Sequence, residues 1–228
     1  MARPRTQAVL FDIDGTLIST GGASDRAWKR AFRDLHLVDV DVPAITGKGV
    51  PDPEVGRVVF EHALGRAPSQ EEEEALMRRR VDYLPEEVEN SPGFVVKDGV
   101  VELLEQLIDD GIMLGLTTGN VEEAARIKLA RANLNRYFSF GGYGSDSPNR
   151  TELTKVALKW GESVTGNTLD LDRCFSCGDT PRDVEAGHGA GIRVVGVATG
   201  EFTVEELREA GADAVIRSFR EGLPLLES

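Results

Sequence analysis

Asp12 and Asp14 stand two residues apart, immediately behind the apolar run Ala8-Val9-Leu10-Phe11 and just before Gly15. Two more carboxylates, Asp179 and Asp183, follow the largely apolar residues 173–177, and the polar string Thr117-Thr118-Gly119-Asn120 follows residues 112–116. One Asp behind an apolar run is ordinarily a turn or helix-cap residue. The same placement after several runs is harder to explain as punctuation. Carboxylates brought close together repel and raise one another's pKa unless something cationic sits among them. An oxygen-only ligand set suits a hard dication, Mg²⁺ in particular.

An open parallel sheet would bring such residues together, because ligands bind there outside the carboxyl ends of the strands. Short continuous apolar runs read as strands buried on both faces. After residues 8–11 they recur at 112–116, 137–140, 173–177, 192–197 and 214–216. Helical periodicity fills the intervals at 100–107, 121–132, 151–160, 181–190 and 204–209. That alternation predicts an α/β fold with a doubly wound, Rossmann-like parallel sheet and right-handed crossovers.

Residues 18–97 break the rhythm and show no convincing strand, but three helical patterns at 23–35, 54–64 and 69–84. Ser69 and Glu72, behind Pro68, have the spacing of a capping box. Glu71-Glu72-Glu73-Glu74 ahead of Arg78-Arg79-Arg80 complements the helix dipole, permits a Glu74–Arg78 pair and reads as a solvated face. The expected organisation is a catalytic core of residues 1–17 and 98–228, with residues 18–97 forming a second, smaller, all-helical cap domain.

With 26 Lys and Arg against 39 Asp and Glu, the net charge is −13. Such a surface disfavours nucleic acid and anionic lipid as partners. Two cysteines make no disulfide framework. Cys174 and Cys177 have redox spacing, but within a strand they face opposite sides and read as buried thiols. The basic residues 1–7 lead into an apolar stretch too short for a signal-peptide core, and no run is long enough to span a bilayer. A cytoplasmic location is expected. Trp28 and Trp160 read as packing residues, and His36, His62 and His188 form no ligand cluster.

The string Asp12-Ile13-Asp14-Gly15-Thr16-Leu17 resembles the first motif of the haloacid dehalogenase superfamily. Leu116-Thr117-Thr118-Gly119-Asn120 is similar to its second motif and Gly178-Asp179-Thr180-Pro181-Arg182-Asp183 to its fourth, in the right order. The helical segment lies where phosphoglycolate-phosphatase-like members carry a cap.

The resemblance implies a Mg²⁺-dependent phosphatase acting on a small phosphorylated metabolite, phosphoglycolate-like or a sugar phosphate. Asp12 would be the nucleophile that forms an aspartyl-phosphate, and Asp14 the acid/base group. Mg²⁺ would be held by Asp12, the Asp14 backbone carbonyl and Asp179, with Asp183 binding directly or through water. Thr118, preferred over Thr117, would bind phosphoryl oxygens with Gly119, and Asn120 completes that loop. The superfamily normally has a lysine in its third motif, where this chain offers Arg150, with Lys155 as the alternative. Arginine brings a bidentate fork and is not a neutral exchange for lysine. Lys48, in Thr46-Gly47-Lys48-Gly49, resembles a specificity-loop residue able to touch the substrate's tail. A phosphomutase would use the same residues, and a catalytically silent interaction protein would keep the fold. A signalling receiver domain would lack the helical insertion. Oligomeric state stays open.

Overall fold

Every position of β1 (Ala8–Phe11) is buried, as a strand must be when helices cover both faces of its sheet. In the computed structural model, which describes residues 6–224, β1 is followed by β2 (Ile18–Thr20), α1 (Ala23–His36), α2 (Val42–Ile45), α3 (Asp52–Leu64), α4 (Gln70–Glu89) and β3 (Phe94–Val96). The chain then alternates: α5 (Val100–Asp109), β4 (Met113–Thr117), α6 (Glu122–Arg131), β5 (Phe140–Gly142), α7 (Arg150–Thr165), β6 (Cys174–Gly178), α8 (Pro181–Gly189), β7 (Arg193–Val197), α9 (Val204–Glu209) and β8 (Ala214–Ile216). The basic start, residues 1–5, lies outside the described residues. No helix among those described is long and apolar enough to cross a membrane.

Six strands form a parallel sheet in the order β5-β4-β1-β6-β7-β8. Alternation along β1 divides its side chains between two cores. Val9 and Phe11 pack with Leu104 of α5 and Leu129 of α6, whereas Ala8 and Leu10 pack with Ala157 and Leu158 of α7. The α/β fold with a doubly wound sheet is therefore the one expected. The chain builds outward from β1 to β4 and β5, then crosses back to β6, so the topological switch point falls beside β1.

Helices α1–α4 carry an apolar core of their own, with Trp28, Phe32, Val59, Phe60 and Leu76. Ser69 and Glu72 close the expected capping box. Several expectations are corrected. The segment 18–97 is not free of strands, since β2 and β3 pair antiparallel at its two ends, Ile18 opposite Val96. Three residues are too few to show a period of two. The strand expected at 137–140 begins only at Phe140 and continues through Gly141 and Gly142. Helix α4 runs past Leu84, with Pro85 inside it. Glu74 accepts from Gln70 Nε2 at 3.0 Å, rather than pairing with Arg78. Trp28 is buried, but Trp160 is 57% exposed.

The arginine run is not wholly solvated. Arg80 is fully buried and donates to both oxygens of Asp52, at 2.8 and 3.1 Å, and to Ser24 Oγ at 3.0 Å. Its guanidinium lies 5.1 Å from the Trp28 ring centroid. Asp52 in turn accepts from the Val121 amide at 3.0 Å and donates its own amide to the Gly119 carbonyl at 2.7 Å. One buried ion pair thus joins α1, α3 and α4 to the loop after β4. Removing one partner leaves a buried charge unanswered. Arg80→Ala is expected to lower stability by about 3–5 kcal/mol, read as a fall in the urea midpoint.

Candidate active site

Phe11 sits opposite Leu116 on one side and Cys177 on the other. The residues that follow these three must emerge side by side. The Asp12 amide extends the ladder to the Cys177 carbonyl at 3.0 Å, and the Thr118 amide reaches the Gly142 carbonyl at 3.0 Å. Asp12, Asp179 and Asp183 each present a carboxylate oxygen within 4.8 Å of the others, and all three are buried.

Local structure fixes each one. Asp179 Oδ1 accepts from Thr16 Oγ1 at 3.0 Å. Gly15, at φ 90°, lies so close that a Cβ there would run into the Asp179 carboxylate, as would one on Gly200. Asp183 closes a capping box at the start of α8, accepting from the Thr180 amide at 3.0 Å and from Thr180 Oγ1 at 2.8 Å. Its other oxygen meets Arg150, whose guanidinium also reaches Asp12 at 3.3 Å and the Gly49 carbonyl at 3.2 Å. Arg150 is the first residue of α7, capped by Asn149. Lys155, five residues on, is rotated by about 140° around the helix and pairs with Glu152 at 2.9 Å on the surface.

The threonines part as alternation requires. Thr117 Oγ1 meets Thr154 Oγ1 of α7 at 2.9 Å, whereas Thr118 lines the cavity over Asp12, with Gly119 and Asn120. Asn120 donates from Nδ2 to Thr118 Oγ1 and to Asp14 Oδ2, both at 2.8 Å. Lys48 also lines the cavity, exposed and ion-paired with Glu201 at 3.3 Å.

Sequence reasoning missed Lys128. This buried lysine of α6 donates from Nζ to Asp14 Oδ2 at 2.6 Å and to Asn120 Oδ1 at 2.5 Å. A signal existed. Val121, Ala124, Ala125 and Lys128 fall at i, i+3, i+4 and i+7, which puts a charge on the apolar stripe of the helix.

The electrostatics differ sharply among the acids. Burial and the charge of Asp183 push Asp12 up to about 7, against the pull of Arg150. Burial, Asp183 and Asp12 push Asp179 up to about 8. Burial also lifts Asp14, but Lys128 and Asn120 more than offset it and hold that carboxyl below its ordinary range. Buried oxygens that repel each other this strongly, with one guanidinium among them, form a donor set that fits a hard dication.

Other candidates lie elsewhere. Cys174 and Cys177 are buried free thiols, and burial pushes Cys174 up to about 11 and Cys177 higher. His188 pairs with Asp213 at 2.8 Å, half-exposed.

Comparison with known proteins bears on the family and the fold. Residues 9–197 match the family described as haloacid dehalogenase-like hydrolase. A phosphoglycolate phosphatase of Rhodospirillum rubrum is 29% identical, over 93% of this chain and 88% of that protein. The N-acetylmuramic acid 6-phosphate phosphatase of Pseudomonas aeruginosa is also 29% identical, over 100% of this chain and 97% of its own. A β-phosphoglucomutase structure from Clostridium difficile superposes with a TM-score of 0.74 at 20% identity, covering 96% of this chain and 94% of that one.

A ligand bound by the folded state alone raises stability, by about 2.7 kcal/mol at a hundred times its dissociation constant. Saturating Mg²⁺ is expected to raise the thermal midpoint of this protein, and Asp179→Asn is expected to abolish the rise, as followed by differential scanning fluorimetry.

Proposed function

Because the chain belongs to the haloacid dehalogenase-like hydrolase family, we propose that it is a Mg²⁺-dependent phosphatase that hydrolyses a small phosphorylated metabolite through an aspartyl-phosphate on Asp12. One observation carries this reading: Asp12, Asp179 and Asp183 converge within 4.8 Å, with the Arg150 guanidinium beside Asp12. Relatives named for phosphoglycolate and N-acetylmuramic acid 6-phosphate support the substrate class. Residues 18–97 would act as the cap.

Asp12 attacks phosphorus, the ester P–O bond breaks, and the leaving alkoxide takes a proton from Asp14. Water then attacks the aspartyl-phosphate, gives its proton to Asp14 and releases phosphate, restoring Asp12. At rest Asp14 is held ionised by Lys128 and Asn120. The arrival of a phosphate dianion beside it favours uptake of the proton that the first step uses. Thr118 Oγ1, the Gly119 amide and Arg150 would hold phosphoryl oxygens, and a guanidinium offers a forked pair of donors for them. Asp12, Asp179 and the Asp14 carbonyl would hold Mg²⁺, with Asp183 directly or through water. Bound there, the ion would supply charge neutralisation between nucleophile and ester. Lys128 would act as a positioning residue for Asp14 and Asn120.

Purified protein incubated with phosphorylated metabolites should release phosphate with Mg²⁺ and not with EDTA, and Asp12→Asn should release none. Release by Asp12→Asn at the wild-type rate would remove Asp12 from the nucleophile role. Arg150→Ala should lower kcat/KM by at least ~10²-fold, while Lys155→Ala stays near wild type. Lys128→Met should lower kcat/KM, which reports the first step, by ~10²-fold for alkyl phosphates and much less for p-nitrophenyl phosphate, because that leaving group needs no proton. An equal loss on both esters would assign Lys128 a purely structural part.

A further inference from the structure

The cavity over Asp12 has a volume of about 550 Å³ and is walled by both the sheet edge and helices α1–α3. That size is typical of a small-ligand site, and a phosphoryl group with a two-carbon tail would leave much of it to water. The identity of the organic part must therefore be read from the charges that face it.

Among the described residues, four cationic side chains line the cavity: Lys48, Lys97, Lys128 and Arg150. Each is already engaged. Arg150 serves Asp12 and Asp183, and Lys128 serves Asp14 and Asn120. Lys97 Nζ donates to the Thr199 carbonyl at 2.5 Å. Lys48 alone belongs to the α1–α3 side, and Glu201 answers it at 3.3 Å.

Asp25 presents the opposite situation. It sits in the first turn of α1, half-buried, and lines the same cavity. Among the described residues its carboxylate accepts no hydrogen bond and closes no ion pair, and burial lifts that carboxyl above its ordinary range against the pull of Lys48 and Lys128 across the space. A half-buried acceptor left open in a ligand cavity suits hydroxyl donors and repels a second carboxylate, the more so as water is excluded. The buried Trp28, one turn along α1, lies along the same wall of the cavity.

Resting on the phosphatase reading above, we propose that Asp25 selects the organic end of the substrate, which is neutral and polyhydroxylated, a sugar or polyol phosphate rather than a carboxylated ester. Its carboxylate accepts hydroxyl hydrogen bonds from the substrate. The same carboxylate disfavours phosphoglycolate, whose own carboxylate would face it. A site built to pair with hydroxyls discriminates strongly against an analogue that lacks them.

The test compares kcat/KM for glucose 6-phosphate, ribose 5-phosphate and sorbitol 6-phosphate with that for phosphoglycolate. In wild-type protein at least one hydroxylated ester should exceed phosphoglycolate by ~10-fold or more, about one hydrogen bond to a charged group. In Asp25→Asn and Asp25→Ala that ester should lose most of the advantage, chiefly through KM, while phosphoglycolate improves. Effects of opposite sign cannot come from loss of fold. A wild-type preference for phosphoglycolate, especially one lost in Lys48→Ala, overturns the proposal, as do equal rates or one common factor of loss for both ester types. The wild-type ratio needs no variant, so a misfolded variant does not shelter the claim. Failure to hydrolyse even p-nitrophenyl phosphate in an Asp12-dependent way would instead overturn the phosphatase reading itself.

Discussion

Mutual repulsion among three buried carboxylates is the constraint around which this molecule is arranged. Asp12, Asp179 and Asp183 are held within 4.8 Å of one another, at a depth where water screens little. Burial and repulsion lift Asp12 and Asp179 far above the ordinary carboxylate range. Such a cluster persists only because the fold overdetermines it. Asp12 is fixed by the central strand, Asp183 by its own helix cap, and Asp179 by Thr16 and two glycines that leave it no other space. Arg150 supplies one positive charge where the acids converge. The remaining excess of negative charge is what makes this donor set fit a hard dication.

Asp14 shows how two residues of separation can reverse an environment. It is half-buried where Asp12 is buried, and Lys128 and Asn120 turn its balance the other way. Two carboxylates so near in the chain thus have oppositely shifted affinities for a proton, set by which charges face each of them. The divergence depends on α6, which places Lys128 two turns beyond Asn120.

Much of this was legible in the amino-acid order. Strands buried on both faces announce themselves as apolar runs, and parallel pairing then forces Asp12, Thr118 and Asp179 to emerge together. Shorter or glycine-rich strands do not announce themselves. Phe140-Gly141-Gly142 carries too little apolar surface, and β2 and β3 are too short for any period to register. Long-range polar partners are equally silent. Of Arg78, Arg79 and Arg80, the one that turns inward is decided by Asp52, 28 residues away, and by Ser24. The choice between Arg150 and Lys155 follows from which of them α7 aims at Asp12, and the choice between Thr117 and Thr118 from which face of β4 meets α7. Lys128 could have been suspected as a charge on an apolar stripe, but its partners could not have been named.

The crowding around Asp179 reaches beyond the ion it would help to hold. With Gly15 and Gly200 pressed against that carboxylate, neither flank admits a side chain, so the floor of the pocket has no freedom to vary. Diversity in what such a pocket accepts must then arise in the roof, among residues of α1–α3 that stand outside the Arg80, Asp52 and Ser24 network. A scaffold divided in this way can acquire new molecular tastes while its chemistry stays fixed.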